Sequence, residues 1–188
     1  MKTFDFVQLA ISALGSEIQG KTNLQKRIFF LGELTGQLDE LGYRPHFYGP
    51  YSDDVAAAVE DLKTVGFLDQ NVQSSAGYDE SGFERRRYDY QLTETGRSVA
   101  NAKKARNAEL WTQLGKAVDK LKSAGDLDYM RLSLAAKIYF LLGKQQGEAT
   151  RDQLARLARQ FGWRVTPKEI TDAGTFLEQL GLVTIVTE

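Results

Sequence analysis

Two stretches of this chain follow one plan. SDDVAAAVEDLKTVGFL (residues 52–68) and TPKEITDAGTFLEQLGLV (residues 166–183) each open on a hydroxyl residue, run on helical spacing, meet a glycine and turn apolar. Counted back from Gly66 and Gly181, Leu62 matches Leu177 and Val55 matches Ile170. Ser52 and Thr166 suit N-caps, Asp53 and Asp54 suit the positive end of a helix dipole, and Pro167 takes the first helical position. A single amphipathic helix cannot bury its own stripe, so each copy needs companion helices.

The first half supplies them. Phe6, Val7, Leu9, Ala10, Ala13 and Leu14 mark one helical face. Thr22 or Asn23 caps a second helix with Leu24, Ile28, Leu31 and Leu34, ending near Gly36. Tyr43 to Tyr48 read as extended, and Gly49-Pro50 as a turn. After the Ser52 helix comes a strand from about Phe67 to Gln73, a Ser/Gly-rich loop, and a strand with Tyr88, Tyr90 and Leu92 at a period of two. Thr93 caps the next helix, in YQLTETGRSVA. Three helices followed by a two-stranded wing is the order of a winged helix-turn-helix domain.

The second half repeats the order. Leu132, Leu134, Ala135, Ile138, Tyr139 and Leu142 form one helix; Thr150 caps another with Leu154, Leu157, Ala158 and Phe161; the Thr166 helix leads to LVTIV as a lone strand. The predicted fold class is mainly α with a small antiparallel β-wing. A winged-helix domain at 1–122 carries a trailing basic helix, SAGD (123–126) marks a boundary, and a smaller three-helix winged-helix-like lobe spans 127–188. The trailing helix, from Arg97 to Lys122, sets Arg97, Lys103, Lys104, Arg106, Lys116, Lys120 and Lys122 against Glu109 and Asp119. Its apolar stripe of Leu110, Trp111, Leu114, Val118 and Leu121 packs on its own domain or serves a homodimer.

GSEIQGKT, residues 15–22, matches the Gly-x-x-x-x-Gly-Lys-Thr phosphate loop letter for letter. That loop works between a buried strand and a helix inside a parallel sheet. Here the preceding segment reads as helix, strands are few, and Glu17 places a negative charge beside the phosphates. The motif is read as a turn between helices, and the chain as a non-enzyme without a cofactor.

Composition narrows the chemistry further. The 188 residues include no cysteine and one histidine, His46, which excludes disulfides, thiol nucleophiles and Cys-based or His-rich metal sites. No apolar run approaches bilayer-spanning length, and Asp5, Gln8 and Glu17 interrupt the N-terminal segment, so a cytoplasmic protein is expected. A net charge of −1 leaves any attraction to nucleic acid to local patches.

TNLQKRIFFLGEL, YRPHFYGPYSDDV and YDYQLTETG carry a family likeness. Together they resemble the YwgA-like bacterial proteins and, more distantly, the SocA-like (Panacea) antitoxin domains, over about residues 1–100. The resemblance implies a winged-helix-type fold and leaves the activity open.

Three groups of residues are candidates for function. Arg85, Arg86 and Arg87 in the wing can meet DNA, or pair with Asp79, Glu80 or Asp89; Lys21, Lys26 and Arg27 can add a contact. Arg151, Arg156, Arg159, Arg164 and Lys168 cluster in and after the second helix of the second half, and Arg164 and Lys168 flank the Thr166-Pro167 helix as a groove-entry element, or they form a solvated helical face. Arg44, His46, Phe47, Tyr48 and Tyr51 either line a pocket for a peptide or small ligand or form a buried aromatic turn. The wing arginines and the basic helix favour a DNA-associated regulator of double-stranded DNA, in an antitoxin or phage-defence locus. The acidic Ser52 helix favours the alternative, a module that binds a protein partner through the same fold.

Overall fold

The computed structural model describes residues 1–46, 48–78, 84–125, 129–144, 150–160 and 162–184. Among them the elements run α1 (Thr3–Ala13), β1 (Glu17–Gln19), α2 (Lys21–Leu34), a 3₁₀ turn (Leu38–Leu41), α3 (Asp53–Thr64), β2 (Leu68–Tyr78), β3 (Glu84–Leu92), α4 (Glu94–Arg106) and α5 (Ala108–Ser123). Then come α6 (Tyr129–Lys144), α7 (Arg151–Gln160) and α8 (Pro167–Gln179). The fold is mainly α with a small antiparallel sheet, a winged-helix arrangement followed by a second three-helix lobe. No helix among the described residues is long and apolar enough to cross a membrane.

The sheet differs from the sequence expectation. It has three strands in the order β1-β3-β2, because Glu17–Gln19, expected as part of a turn, pairs antiparallel with β3. Ile18 sits opposite Tyr90, and both side chains enter the core. β1 lets α2 start earlier than expected. Gly20 holds the N-cap position, so Thr22 and Asn23 lie inside the first turn, and the Asn23 amide donates back to the Gln19 carbonyl at 3.2 Å. β2 pairs with β3 from Leu68↔Leu92 to Ser74↔Arg86 and extends to Tyr78, past the expected end at Gln73.

The repeated plan holds for the third helix of each half, from its cap to the glycine that ends it. Ser52 accepts from the Val55 amide at 2.9 Å, and Thr166 and Glu169 form a full capping box with Pro167 behind the cap. Val55, Leu62, Ile170 and Leu177 are all fully buried. Gly66 (φ 74°) and Gly181 (φ 69°) end their helices in the left-handed region. The Phe67 amide then reaches the Leu62 carbonyl at 2.8 Å, and the Leu182 amide reaches Leu177 at 3.0 Å. Leu182, Val183 and Thr184 form no strand; the rest of LVTIV lies outside the described residues, as does Phe161.

The helix expected from Arg97 to Lys122 is two helices, broken at Asn107 (φ −130°, ψ 46°), whose side chain donates to the Lys103 carbonyl at 2.9 Å. The break turns α5 back across α1 and α2, where Leu114, Ala117, Val118 and Leu121 are buried within the same chain. Its basic residues are largely engaged. Lys103 pairs with Asp5 at 2.5 Å and donates to Gln8 at 2.6 Å, Lys104 lies 4.0 Å from the Trp111 ring centroid, and Lys120 donates to the Leu180 carbonyl at 3.3 Å. The C-terminal lobe joins the same core: Phe29 meets Tyr139 of α6 and Phe30 meets Phe176 of α8, edge to face.

The wing exit depends on one close approach. The Thr93 hydroxyl donates to the Gly66 carbonyl at 2.8 Å and accepts from the Gly96 amide at 2.9 Å, drawing α4 onto the start of β2. A Cβ on Gly96 would stand 2.0 Å from the Phe67 carbonyl oxygen. Gly96→Ala is expected to lower stability by roughly 2 kcal/mol or more, because backbone must move. Gly115→Ala, in a helix with open space around it, is expected to raise it by about 0.5–1 kcal/mol. Urea denaturation of the two variants checks both signs.

Candidate functional site

Two sequence motifs turn out to be partners. α2 brings Leu24, Gln25 and Lys26 beneath the segment from Tyr43 to Ser52. Leu24 enters the core. The Gln25 side chain is buried, donates to the Ser52 carbonyl at 2.9 Å and accepts from the Ser52 amide at 3.1 Å. Lys26 is 1% exposed, and its Nζ donates to the Pro50 carbonyl at 2.5 Å. Tyr43 donates to the Gln25 carbonyl at 2.7 Å, and the Ser52 hydroxyl donates to the Leu41 carbonyl. Arg44 and Tyr51 close the segment through paired backbone hydrogen bonds of 2.9 Å.

The other side of that segment faces the C-terminal lobe. The Trp163 indole donates to the His46 carbonyl at 2.7 Å, and Gly49 lies so close to α6 that a Cβ there would stand 2.9 Å from Lys137 Cγ. The His46 ring rests against Tyr51 at 5.1 Å. Phe47 lies outside the described residues. Residues 43–46 and 48–52 therefore join α2 to the second lobe and aim Ser52, the cap of α3.

Lys26 was expected at a nucleic-acid surface. Its burial corrects that: the ammonium is spent on a carbonyl and cannot reach a phosphate. Burial, and then the nearby Lys137 ammonium, push its pKa down to about 7. The unfolded lysine keeps its proton to about pH 10.4, so above pH 7 the unfolded state binds more protons and stability rises with pH.

The other expected DNA contacts separate into two groups. Around the first lobe, α3 exposes Asp53, Asp54, Glu60 and Asp61, and Lys63 pairs with Glu60 at 2.7 Å. Arg87 pairs with Asp89 at 2.9 Å and donates to Gln73 at 3.2 Å. Arg86 is exposed; the Arg85 side chain, Asp79 and Glu80 lie outside what is described. Lys21 is exposed with its ammonium 5.9 Å from the Tyr51 ring centroid, and half-buried Arg27 donates to Asn23 at 3.0 Å. In the second lobe, by contrast, Arg151, Arg156, Arg159, Arg164 and Lys168 are all exposed. Arg159 and Arg164 line an open groove of about 550 Å³ beside Thr166, at the start of α8.

GSEIQGKT does not take the form of a phosphate loop, because its middle, Glu17–Gln19, is a strand of the antiparallel sheet. Three of its amides are also engaged: those of Gly15, Ser16 and Gly20 donate to the Ser12, Ile11 and Tyr88 carbonyls. An open depression of about 700 Å³ lies beside Gly15 and Glu17, walled by α5. No group of three or more His, Asp or Glu able to hold a metal comes together among the described residues.

A cleft of about 670 Å³ opens between residue 48, α6 and α8. Of the expected pocket residues Arg44, His46, Tyr48 and Tyr51, only Tyr48 lines it. Sequence reasoning missed Ser133 and Lys137, which face it from α6 at a spacing of one helical turn. Their spacing was visible, but nothing local showed that the loop at 43–52 would lie opposite.

The Lys26 shift has a measurable consequence. Between about pH 7.5 and pH 9.5, stability is expected to rise by up to about 1.4 kcal/mol per pH unit. Lys26→Met is expected to flatten that rise. Urea midpoints at three pH values read the slope, and equal slopes in both proteins would remove Lys26 as its source.

No family model matches the chain. Over 80 residues it is 39% identical to the "Uncharacterized protein YwgA" of Bacillus subtilis (strain 168), a similarity that spans 43% of this chain and 43% of that protein. The chain thus matches less than half the length of this relative, which it resembles in part of its sequence.

Proposed function

We propose that this protein is a DNA-associated regulator that meets the duplex with its second lobe. The observation that carries the reading is the exposure of Arg151, Arg156 and Arg159 on α7, Arg164 in the connection and Lys168 at the start of α8. In a helix-turn-helix the second helix crosses the phosphate backbone and the start of the third enters the major groove. Cations at those positions gain from counterion release on binding. The first lobe is a poor reader by the same standard, since α3 exposes carboxylates that phosphates repel. The likeness of its motifs to SocA-like antitoxin domains extends the proposal to a regulator in an antitoxin or defence locus.

A second reading is favoured by that same acidic surface: the winged-helix fold serves as a protein-interaction module, with α3 presented to a basic partner. Fluorescence anisotropy with a random-sequence duplex at about 50 mM and about 200 mM salt separates the two. The regulator is expected to bind at low salt and weaken steeply at high salt. Changing Arg159, Arg164 and Lys168 together to Gln is expected to cost roughly tenfold or more in affinity and to reduce the salt slope by roughly 2–3. Loss of neither, or no binding at low salt, selects the interaction module.

A further inference from the structure

We propose that the cleft between Tyr48, α6 and α8 binds a small apolar carboxylate, held by Ser133 and Lys137. This goes beyond the DNA reading and does not rest on it. The cleft, at about 670 Å³, has the size of a small-molecule site. Its rim holds Tyr48, Tyr129 and Met130, each more than half exposed, and Leu134 and Phe176 lie deeper. Such a wall suits an apolar, preferably aromatic, body.

Ser133 supplies the polar end. It is 7% exposed, and its Oγ has no hydrogen-bond partner among the described residues. A helical serine ordinarily bonds back to the carbonyl one turn earlier; Ser133 does not. A buried hydroxyl left unpaired costs free energy, and a turn about its Cα–Cβ bond that brought it to an acceptor in the cleft would recover that cost. Lys137 stands one turn along the same face, its stem held by the close approach of Gly49 and its ammonium 5.8 Å from the Trp163 ring centroid.

The charge of the ligand follows from what the cations lack. Lys137 and Arg164 line the cleft without an ion-pair partner among the described residues. Burial lowers the Lys137 pKa, with Glu169 pulling the other way, so its charge is incompletely compensated. The Glu169 carboxylate is committed to its own helix start, accepting from the Thr166 amide at 2.7 Å and hydroxyl at 2.9 Å. Asp172 is exposed. The lining cations, Arg131, Lys137 and Arg164, outnumber the lining carboxylates, Glu169 and Asp172, so the cleft carries a net positive charge. Beside Ser133 an amine would meet Lys137 as a like charge, and a neutral molecule would bury it further without compensation. A carboxylate satisfies both Ser133 and Lys137.

Isothermal titration of the whole chain with 2-naphthoate and its neutral isostere 2-naphthamide tests this. Naphthoate is expected to bind with a dissociation constant on the order of 0.1 mM, and the amide roughly tenfold more weakly. Lys137→Met is expected to bring naphthoate down to the level of the amide. Ser133→Ala is expected to weaken it severalfold while leaving the thermal midpoint unchanged or higher, since it removes the unpaired hydroxyl. Lys137→Gln replaces Lys137→Met should that variant fail to fold, and Lys120→Gln, remote from the cleft, is expected to bind normally. Equal affinity for acid and amide, naphthoate binding untouched by both Lys137 and Ser133 changes, or no heat with naphthoate would each overturn the proposal.

Discussion

The grip of α2 on the backbone of residues 50–52 organises this molecule. Gln25 uses both ends of its amide on one residue, Ser52, and Lys26 takes the adjacent Pro50 carbonyl. These are buried polar groups, so each is satisfied only when the other side is in place. The grip sets where α3 begins, because Ser52 is also its cap. It also presents the outer side of the same segment to Trp163 and α6. A single stretch of irregular backbone thus orients the third helix of one lobe and seats the other.

This grip explains an oddity of composition. A lysine on a buried helix stripe looks like a misplaced charge, and a glutamine beside it looks like a surface residue. Neither could be exchanged for an apolar residue without stranding backbone groups of Pro50 and Ser52. The electrostatic cost is visible in the depressed pKa of Lys26, which shares its surroundings with Lys137. The second lobe therefore docks against a segment that already holds a strained charge balance from below.

Much of the fold was legible because its signals are local. Ser52, Thr93 and Thr166 announce helix starts through side-chain chemistry acting within three residues, and Gly66 and Gly181 announce stops through backbone freedom. The features that escaped are mostly those whose partners are distant in sequence. Three residues of β1 are too few for an alternating pattern, and they pair with β3 far along the chain. The break at Asn107 sits in a sequence with no proline or glycine to mark it. Lys26 and the Ser133–Lys137 pair were readable as residue types, but their meaning came from carbonyls and loops that only tertiary packing supplies.

The doubling back of α5 bears on how the chain is made. α1 and α2 are covered in part by Leu114, Ala117, Val118 and Leu121, which leave the ribosome after the whole wing. A nascent chain ending at Leu92 already holds every strand of the sheet, yet still shows the apolar sides of its first two helices to solvent. During that interval the growing polypeptide is a sticky surface for chaperones and for its own neighbours. The turn at Asn107 ends part of that interval by returning α5 over α1 and α2, and α6 and α8 later close over Phe29 and Phe30.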